Sequence, residues 1–326
     1  MNYIPLGRTG VKVSPLCLGT MTFGSTSDEA QSKAVFERCL EHGINFFDTA
    51  NGYSGGEAER LLGRFIAGMR DELVITTKVA AKVGDGPNDR GLARRHIRQQ
   101  VERSLERLGT DRIDVYFVHL FDDDTPIEET LRALDDLVRE GRILYLGVSN
   151  WAAWQIAIGL GISKRESLAR FEVIQPMYSL IKRQAEVEIL PLALAEGLGV
   201  IPYSPLAAGM LTGKYAAGSA PRAGRLVEND MYARRYAQQA YYRIAEAFAE
   251  HARERGVHPA TLAVAWTLAH PGVTAPIVGA RDVDQLRASL DATTLAMTAE
   301  WRNEISALSD EPPPATDRSE DRVASV

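Results

Sequence analysis

Cysteine is nearly missing from this sequence. Only Cys17 and Cys39 occur in 326 residues, far apart and outside any CxxC or Cys/His ligand spacing. That argues against a disulfide framework and against a zinc site, and two unpaired thiols fit a reducing compartment. Long hydrophobic runs are absent too, so no transmembrane span is expected. Residues 1–6 lack the basic-then-apolar pattern of an export signal. A cytoplasmic protein is therefore the expectation. Nor is there an excess of positive charge: the formal net charge is −6, which gives no bulk attraction to nucleic acid or anionic lipid. Arg90, Arg94, Arg95, Arg98 and Arg103 do cluster, but interleaved acidic and polar residues suggest the solvated outer face of one helix. The GxGxxG fingerprint of a doubly wound dinucleotide-binding domain is also wanting. The first strand-to-helix turn reads Gly19-Thr20-Met21-Thr22-Phe23-Gly24, so any dinucleotide must be held by another route.

What is present is an alternation. Residues 3–13 suggest a hairpin around Thr9-Gly10. Short apolar strands are then expected at 16–20, 44–47, 73–78, 113–118, 143–148, 171–175, 200–203 and 273–278. Helical patterns separate them at 29–42, 57–67, 90–108, 126–139, 151–160, 183–196, 236–255, 259–270 and 282–290. Most strands are apolar almost throughout, as in parallel sheets covered on both faces. Eight β/α units in this length predict an α/β (β/α)8 TIM barrel with an N-terminal hairpin and extra C-terminal helices. Residues 205–231, rich in Gly and Ala, read as irregular. The domain expectation is one barrel over 1–311 and a Pro-rich, charged, disordered tail over 312–326.

In such a barrel, chemistry belongs at the carboxyl ends of the strands. Asp48 ends the second strand, Tyr53 follows in its loop, Lys78 ends the third and His119 the fourth. Taken one at a time, each has a plainer explanation: a turn former, a packing aromatic, a solvated lysine, a core histidine. Together they stand on consecutive strands and make a coherent acid. A carbonyl that accepts hydride builds negative charge on its oxygen and needs a proton there. A free phenol, with a pKa of roughly 10, is a poor donor at neutral pH, and a nearby ammonium lowers that value. Lys78 would be that cation, Asp48 its buried counterion, and His119 a hydrogen-bonding group that orients the carbonyl.

The run Asp48-Thr49-Ala50-Asn51-Gly52-Tyr53, with Lys78 and His119, resembles the catalytic tetrad of the aldo-keto reductase superfamily. Leu134-Asp135-Asp136-Leu137-Val138, Gly147-Val148-Ser149-Asn150 and Tyr203-Ser204-Pro205-Leu206 are similar to that family as well, and the likeness runs from Leu6 to Gln285. It implies an oxidoreductase that transfers hydride from NADP(H) to a small aldehyde or ketone, with Tyr53 as proton donor, Lys78 and Asp48 tuning it, and His119 orienting substrate. It places Ser149, Asn150 and Gln175 on the nicotinamide carboxamide and the Tyr203 ring against nicotinamide. It places Gly19, Thr20 and Met21 along the ribose, and Ser204, Leu206, Gly209, Leu211 and Lys214 in a loop over the pyrophosphate. Gly279, Arg281 and Gln285 would hold the adenosine phosphate. Arg281 is expected to begin the last helix, where a guanidinium suits a 2′-phosphate and favours NADPH over NADH. Four residues past Gln285, where the family often has an adenine-contacting Asn, this chain has Ser289.

Phe23, Phe121 and Trp151 are expected to wall the substrate pocket. Two other readings compete. Lys78 could form a Schiff base in a lyase on the same barrel. Alternatively, the chain could be a non-catalytic NADPH-binding regulatory subunit, like relatives that serve potassium channels. No metal, nucleic-acid or membrane partner is expected. The motifs name neither the physiological substrate nor the oligomeric state.

Overall fold

The computed structural model describes residues 1–215 and 224–316. From 317 onward the expected tail lies outside the described residues. A two-stranded antiparallel hairpin, β1 (Ile4–Pro5) and β2 (Lys12–Val13), comes first. Then follow β3 (Cys17–Gly19), α1 (Glu29–Glu41), β4 (Phe46–Asp48), α2 (Glu57–Phe65), β5 (Val74–Val79), α3 (Arg94–Leu108), β6 (Ile113–Val118) and α4 (Ile127–Arg139). β7 (Ile143–Ser149), α5 (Ala153–Glu166), β8 (Phe171–Gln175), α6 (Ile189–Glu196) and β9 (Gly199–Val200) continue the alternation. The last part holds α7 (Arg225–Glu228), α8 (Asp230–Arg235), α9 (Gln239–Glu254), α10 (Pro259–Leu268), β10 (Ile277–Val278), α11 (Val283–Leu290) and α12 (Ala299–Ser306). The strands β3 to β10 form one parallel sheet in the order β10-β3-β4-β5-β6-β7-β8-β9. The circle closes by single bonds rather than a ladder: Thr274 N and Ala275 N donate to Val200 O, and Ile277 N donates to Pro202 O. This is the (β/α)8 barrel that the alternation predicts.

Side chains alternate across each strand, and that alternation builds two cores. Phe47, Ile75 and Val118 point outward into the layer shared with the helices. Phe46, Val74, Val115, Phe117 and Val173 point inward and fill the barrel floor, where Leu6 and Val13 of the hairpin plug the end. One step up each strand, the inward positions turn polar: Asp48, Thr76, Lys78, Ser149 and Gln175 are all buried. Gly147 is inward too, and a Cβ there would sit 2.4 Å from the Phe117 ring. Gly147→Ala is therefore expected to lower stability by about 1–3 kcal/mol through overpacking. A urea-unfolding midpoint equal to the wild type's would show that Phe117 can step aside.

Several boundaries differ from those read in the sequence. Residues 183–196 are not one helix but a 3₁₀ turn, Gln184–Glu186, followed by α6. Pro191 is tolerated only in a first turn, which forces α6 to start near Ile189. The strand expected at 200–203 stops at Val200, because Pro202 has no N–H to donate. Tyr203 lies past it, with its N–H on Pro176 O at 2.9 Å. The helix expected from residue 90 begins at Arg94, and α5 runs on to Glu166. The Gly/Ala-rich stretch expected to be irregular carries α7 and the start of α8. Of the basic cluster, Arg94 and Arg98 on α3 meet carboxylates of α4 and its C-cap, Arg94 on Glu129 and Asp136 and Arg98 on Glu140. Such half-exposed pairs are individually worth little. C-terminal helix α12 is clasped to the barrel: Trp266 Nε1 donates to Ser306 Oγ at 3.0 Å, and Arg302 Nη2 to Tyr178 Oη at 2.9 Å. No described helix is long and apolar enough to cross a membrane.

Candidate active site

At the upper end of the barrel, β4 delivers Asp48 inward and β5 delivers Lys78 inward. Lys78 is fully buried. Its Nζ donates to Asp48 Oδ2 at 2.6 Å, to Thr49 O at 2.6 Å and to Tyr53 Oη at 3.3 Å. An ammonium has three hydrogens, and each has an acceptor here. The Tyr53 oxygen thus accepts from Lys78, and its own proton is not used in that bond. Asp48 is held in turn: its Oδ1 accepts from Thr76 Oγ1 at 2.6 Å and from Gln175 Nε2 at 2.9 Å. Tyr53 stands on a tight turn, Tyr53–Gly56, in which Ser54, Gly55 and Gly56 all adopt positive φ. Ser54 Oγ anchors the turn by donating to Phe23 O at 2.8 Å.

The electrostatics partly depart from the sequence argument. Burial raises the Tyr53 phenol above its ordinary value; Lys78 lowers it, but the net direction is upward. At neutral pH Tyr53 is therefore a protonated phenol rather than a phenolate. Burial also pulls the Lys78 ammonium down, yet Asp48 and Tyr53 outweigh it, so Lys78 titrates above an ordinary lysine and stays charged. His119 packs edge-on to the Tyr53 ring, with centroids 6.1 Å apart. Burial, aided by the Lys78 charge, lowers it to about 3. Its imidazole is neutral, and Nδ1 is buried without a hydrogen-bond partner among the described residues.

Other residues expected to hold a cofactor lie around this core. Asn150, at φ +57, donates through Nδ2 to His119 O at 2.8 Å and accepts through Oδ1 from Tyr203 Oη at 2.7 Å. Ser149 Oγ donates to Gln175 O at 2.9 Å. Thr20 Oγ1 is already spent on Asp48 O, at 3.1 Å, whereas Met21 is exposed beside Tyr232 of α8. Past β9 the backbone coils through positive φ at Ser204, Ala207, Ala208 and Gly209. Leu211 is fully buried, and Leu206 packs on the core. Lys214 lies across Gly209, whose Cβ would come within 3.0 Å of Nζ. Burial, then the charges of Arg281 and Arg225, depress Lys214, which marks a crowd of cations at this end. Gly279 comes so near β3 that a Cβ would stand 3.3 Å from Gly19 O.

Some expected positions fall elsewhere. Phe23 does not wall the pocket: it is fully buried and packs against Phe65, with centroids 6.1 Å apart. Arg281 does not begin the last helix. Asp282 caps α11, accepting from Gln285 N at 2.9 Å, and Arg281 sits outside it. Its guanidinium pairs with Glu228 of α7, and its N–H donates to Gln285 Oε1 at 3.3 Å. Ser289 is buried in α11. Phe121 and Trp151 do meet, 4.9 Å apart, and exposed Trp154 joins them at 6.5 Å from Phe121. Sequence reasoning missed Trp154, Thr76, Glu228 and the grip of Gln175 on Asp48. Thr76 was findable, since it lies two residues before Lys78 and so shares its face.

Among known proteins, the family described as "Aldo/keto reductase family" matches residues 15–310. The chain is 39% identical over 311 residues to "Uncharacterized oxidoreductase YrpG" of Bacillus subtilis (strain 168), spanning 92% of this chain and 93% of that one. It is 40% identical over 299 residues to "Probable voltage-gated potassium channel subunit beta" of Arabidopsis thaliana, with 90% and 91% covered. To "Versiconal hemiacetal acetate reductase" of Aspergillus parasiticus it is 34% identical over 326 residues, with 92% and 94% covered.

Proposed function

The chain belongs to the aldo/keto reductase family, a family of oxidoreductases, and from that premise we propose that it is an NADPH-dependent reductase of small aldehydes and ketones. The observation that carries this is the three-way hydrogen bonding of Lys78, which joins a buried carboxylate to a protonated phenol at the barrel mouth. Bound NADPH would supply the hydride. Tyr53 donates its hydroxyl proton to the carbonyl oxygen as negative charge builds there. Lys78, kept charged by Asp48, stabilises the phenolate left behind. His119, being neutral, hydrogen-bonds the same oxygen and orients it. Phe121, Trp151 and Trp154 are the apolar walls within reach of a substrate.

The residues present fit a phosphorylated dinucleotide. The backbone from Ser204 to Gly209 turns through positive φ at Ser204, Ala207, Ala208 and Gly209, a conformation of the kind that can line a phosphate, and Lys214, Arg225 and Arg281 gather beside it. Ser149, Asn150, Gln175 and Tyr203 are the side chains toward the nicotinamide end, with Gly19, Thr20 and Met21 along the opposite wall. Leu206, Gly209 and Leu211 contribute backbone over the phosphates, and Gly279 and Gln285 flank Arg281. Buried, unpaired Cys17 and Cys39 suit the cytoplasm.

The test is a panel of small aldehydes and ketones with NADPH and then NADH, followed by cofactor absorbance. Carbonyl-dependent loss of NADPH is expected. Tight cofactor binding without turnover on any member would sink the reductase reading and favour a binding role such as the name of the plant relative suggests. A Schiff-base lyase is poorly supported, because the Lys78 nitrogen is protonated, buried and fully hydrogen-bonded. For cofactor choice, Arg281→Ala is expected to weaken NADPH binding about 10-fold and leave NADH unaltered. A charge-assisted bond of roughly 1.5–3 kcal/mol supports that figure at its lower end, because a 2′-phosphate must first displace Glu228. Fluorescence titration of both cofactors would measure it, and equal wild-type affinities for the two would remove Arg281 from the assignment.

A further inference from the structure

A polar seam runs behind the site, on the helix side of the barrel wall, and the chemistry above makes no use of it. Glu59 of α2 is fully buried. Its Oε1 accepts from Thr77 Oγ1 at 2.6 Å, and its Oε2 accepts from Arg107 Nε, on α3, at 2.6 Å. Thr77 points outward because its neighbour Lys78 points inward. Arg107 lies against Gly56: a Cβ there would meet Arg107 Cδ at 2.9 Å and Nε at 3.0 Å. Gly56 ends the Tyr53–Gly56 turn and caps α2, the helix that carries Glu59.

A buried ion pair is rarely the cheapest way to fill such a space, since well-packed apolar groups often serve as well or better. This pair has a placement that apolar groups could not reproduce. We infer that Glu59 and Arg107 are positioning residues that fix the turn bearing Tyr53 against the strand bearing Lys78. The inference rests on the reductase reading. Thr77 ties Glu59 to the Lys78 strand, α2 ties Glu59 to the turn, and Arg107 props Gly56 from the α3 side. The distance this sets is that from Lys78 Nζ to Tyr53 Oη, at 3.3 Å the longest of the three Lys78 bonds. Other ties near the turn run from Asn51 N to Lys78 O, at 3.3 Å, from Asn51 Nδ2 to Gln100 Oε1 of α3, at 3.0 Å, from Tyr53 N to Ala50 O, at 3.1 Å, and from Ser54 Oγ to Phe23 O, at 2.8 Å. None of these is made at Gly56.

The groups facing Tyr53 are Lys78 and Asp48 beneath it, His119 beside it and Tyr232 from α8. Lys78 is the cation among these, so a loosened turn weakens its pull on the phenol. In the full-length protein, Arg107→Met keeps an apolar stem on Gly56 and removes the guanidinium. Turnover number is expected to fall roughly 10- to 100-fold, the scale of a small misplacement in an active site, with KM for NADPH unchanged. The alkaline limb of the pH profile, where Tyr53 loses its proton, should move to higher pH. Arg107→Lys should restore most of the turnover and the wild-type limb. Unchanged turnover, or a loss with the limb unmoved and no rescue by Lys, would overturn the positioning role. If Arg107→Met is insoluble, Glu59→Gln, of the same shape, is put through the same profile with the same criteria. A wild type that consumes NADPH with none of the aldehydes or ketones of the panel defeats the reductase reading and the inference with it. A wild type that reduces one of them, with that activity lost in Tyr53→Phe, leaves the Arg107 and Glu59 variants testing the pair alone.

Discussion

Tyr53→Phe is expected to cut the turnover number at least ~100-fold, the usual worth of a general acid, while cofactor binding is little changed. The ring stays, so its edge contact with His119 and its place on the tight turn are kept. The hydroxyl goes, and with it the donor at the mouth that Lys78 holds by its oxygen. Lys78 keeps its other two acceptors, Asp48 and Thr49 O, so the buried pair survives and the fold should too. Steady-state kinetics with the best aldehyde of the panel, alongside cofactor titration, would check both halves. Near-normal turnover would take Tyr53 out of the mechanism, and a collapse of cofactor affinity would mean that the variant disturbed more than the acid.

Lys78→Met is expected to be as damaging by a different route. Without the ammonium, nothing offsets the burial that raises the Tyr53 phenol. The acid then stays protonated to higher pH but gives up its proton less readily. Turnover should fall by ~100-fold or more, and the residual activity should persist further into alkali. Stability suffers as well, because Asp48 becomes a buried carboxylate with only Thr76 and Gln175 to donate to it. Breaking a buried pair in this way costs about 3–5 kcal/mol. The double variant Asp48→Asn/Lys78→Met separates the two effects. Its urea midpoint should recover relative to Lys78→Met, and its turnover should not. Recovery of turnover with stability would show that Lys78 matters only to the fold.

Much of this protein was legible in its sequence, for a local reason. The hairpin at Thr9-Gly10, the apolar strands and the helices between them follow from turn chemistry and from periodicities of two and 3.6, which neighbouring residues determine. Because a barrel puts consecutive strands side by side, Asp48, Lys78 and His119 could be expected at one mouth from their places at strand ends alone. Boundaries were less secure where proline or a single cap decided them, as at Pro191, Pro202 and Asp282.

What only the tertiary structure decided is who touches whom across long separations. Gln175 reaches Asp48 across 127 residues, Arg107 reaches Glu59 across 48, and Arg281 reaches Glu228 across 53. No local periodicity carries such pairings, because they depend on how deep each side chain sits once the sheet has curled. The same depth decided the fate of Phe23, whose aromatic ring was compatible with a pocket wall and was drawn into the helix-facing core instead. It also decided the direction of the Tyr53 shift. The sequence supplied the cation, but desolvation is a property of the closed barrel, and at this site it outweighs the cation.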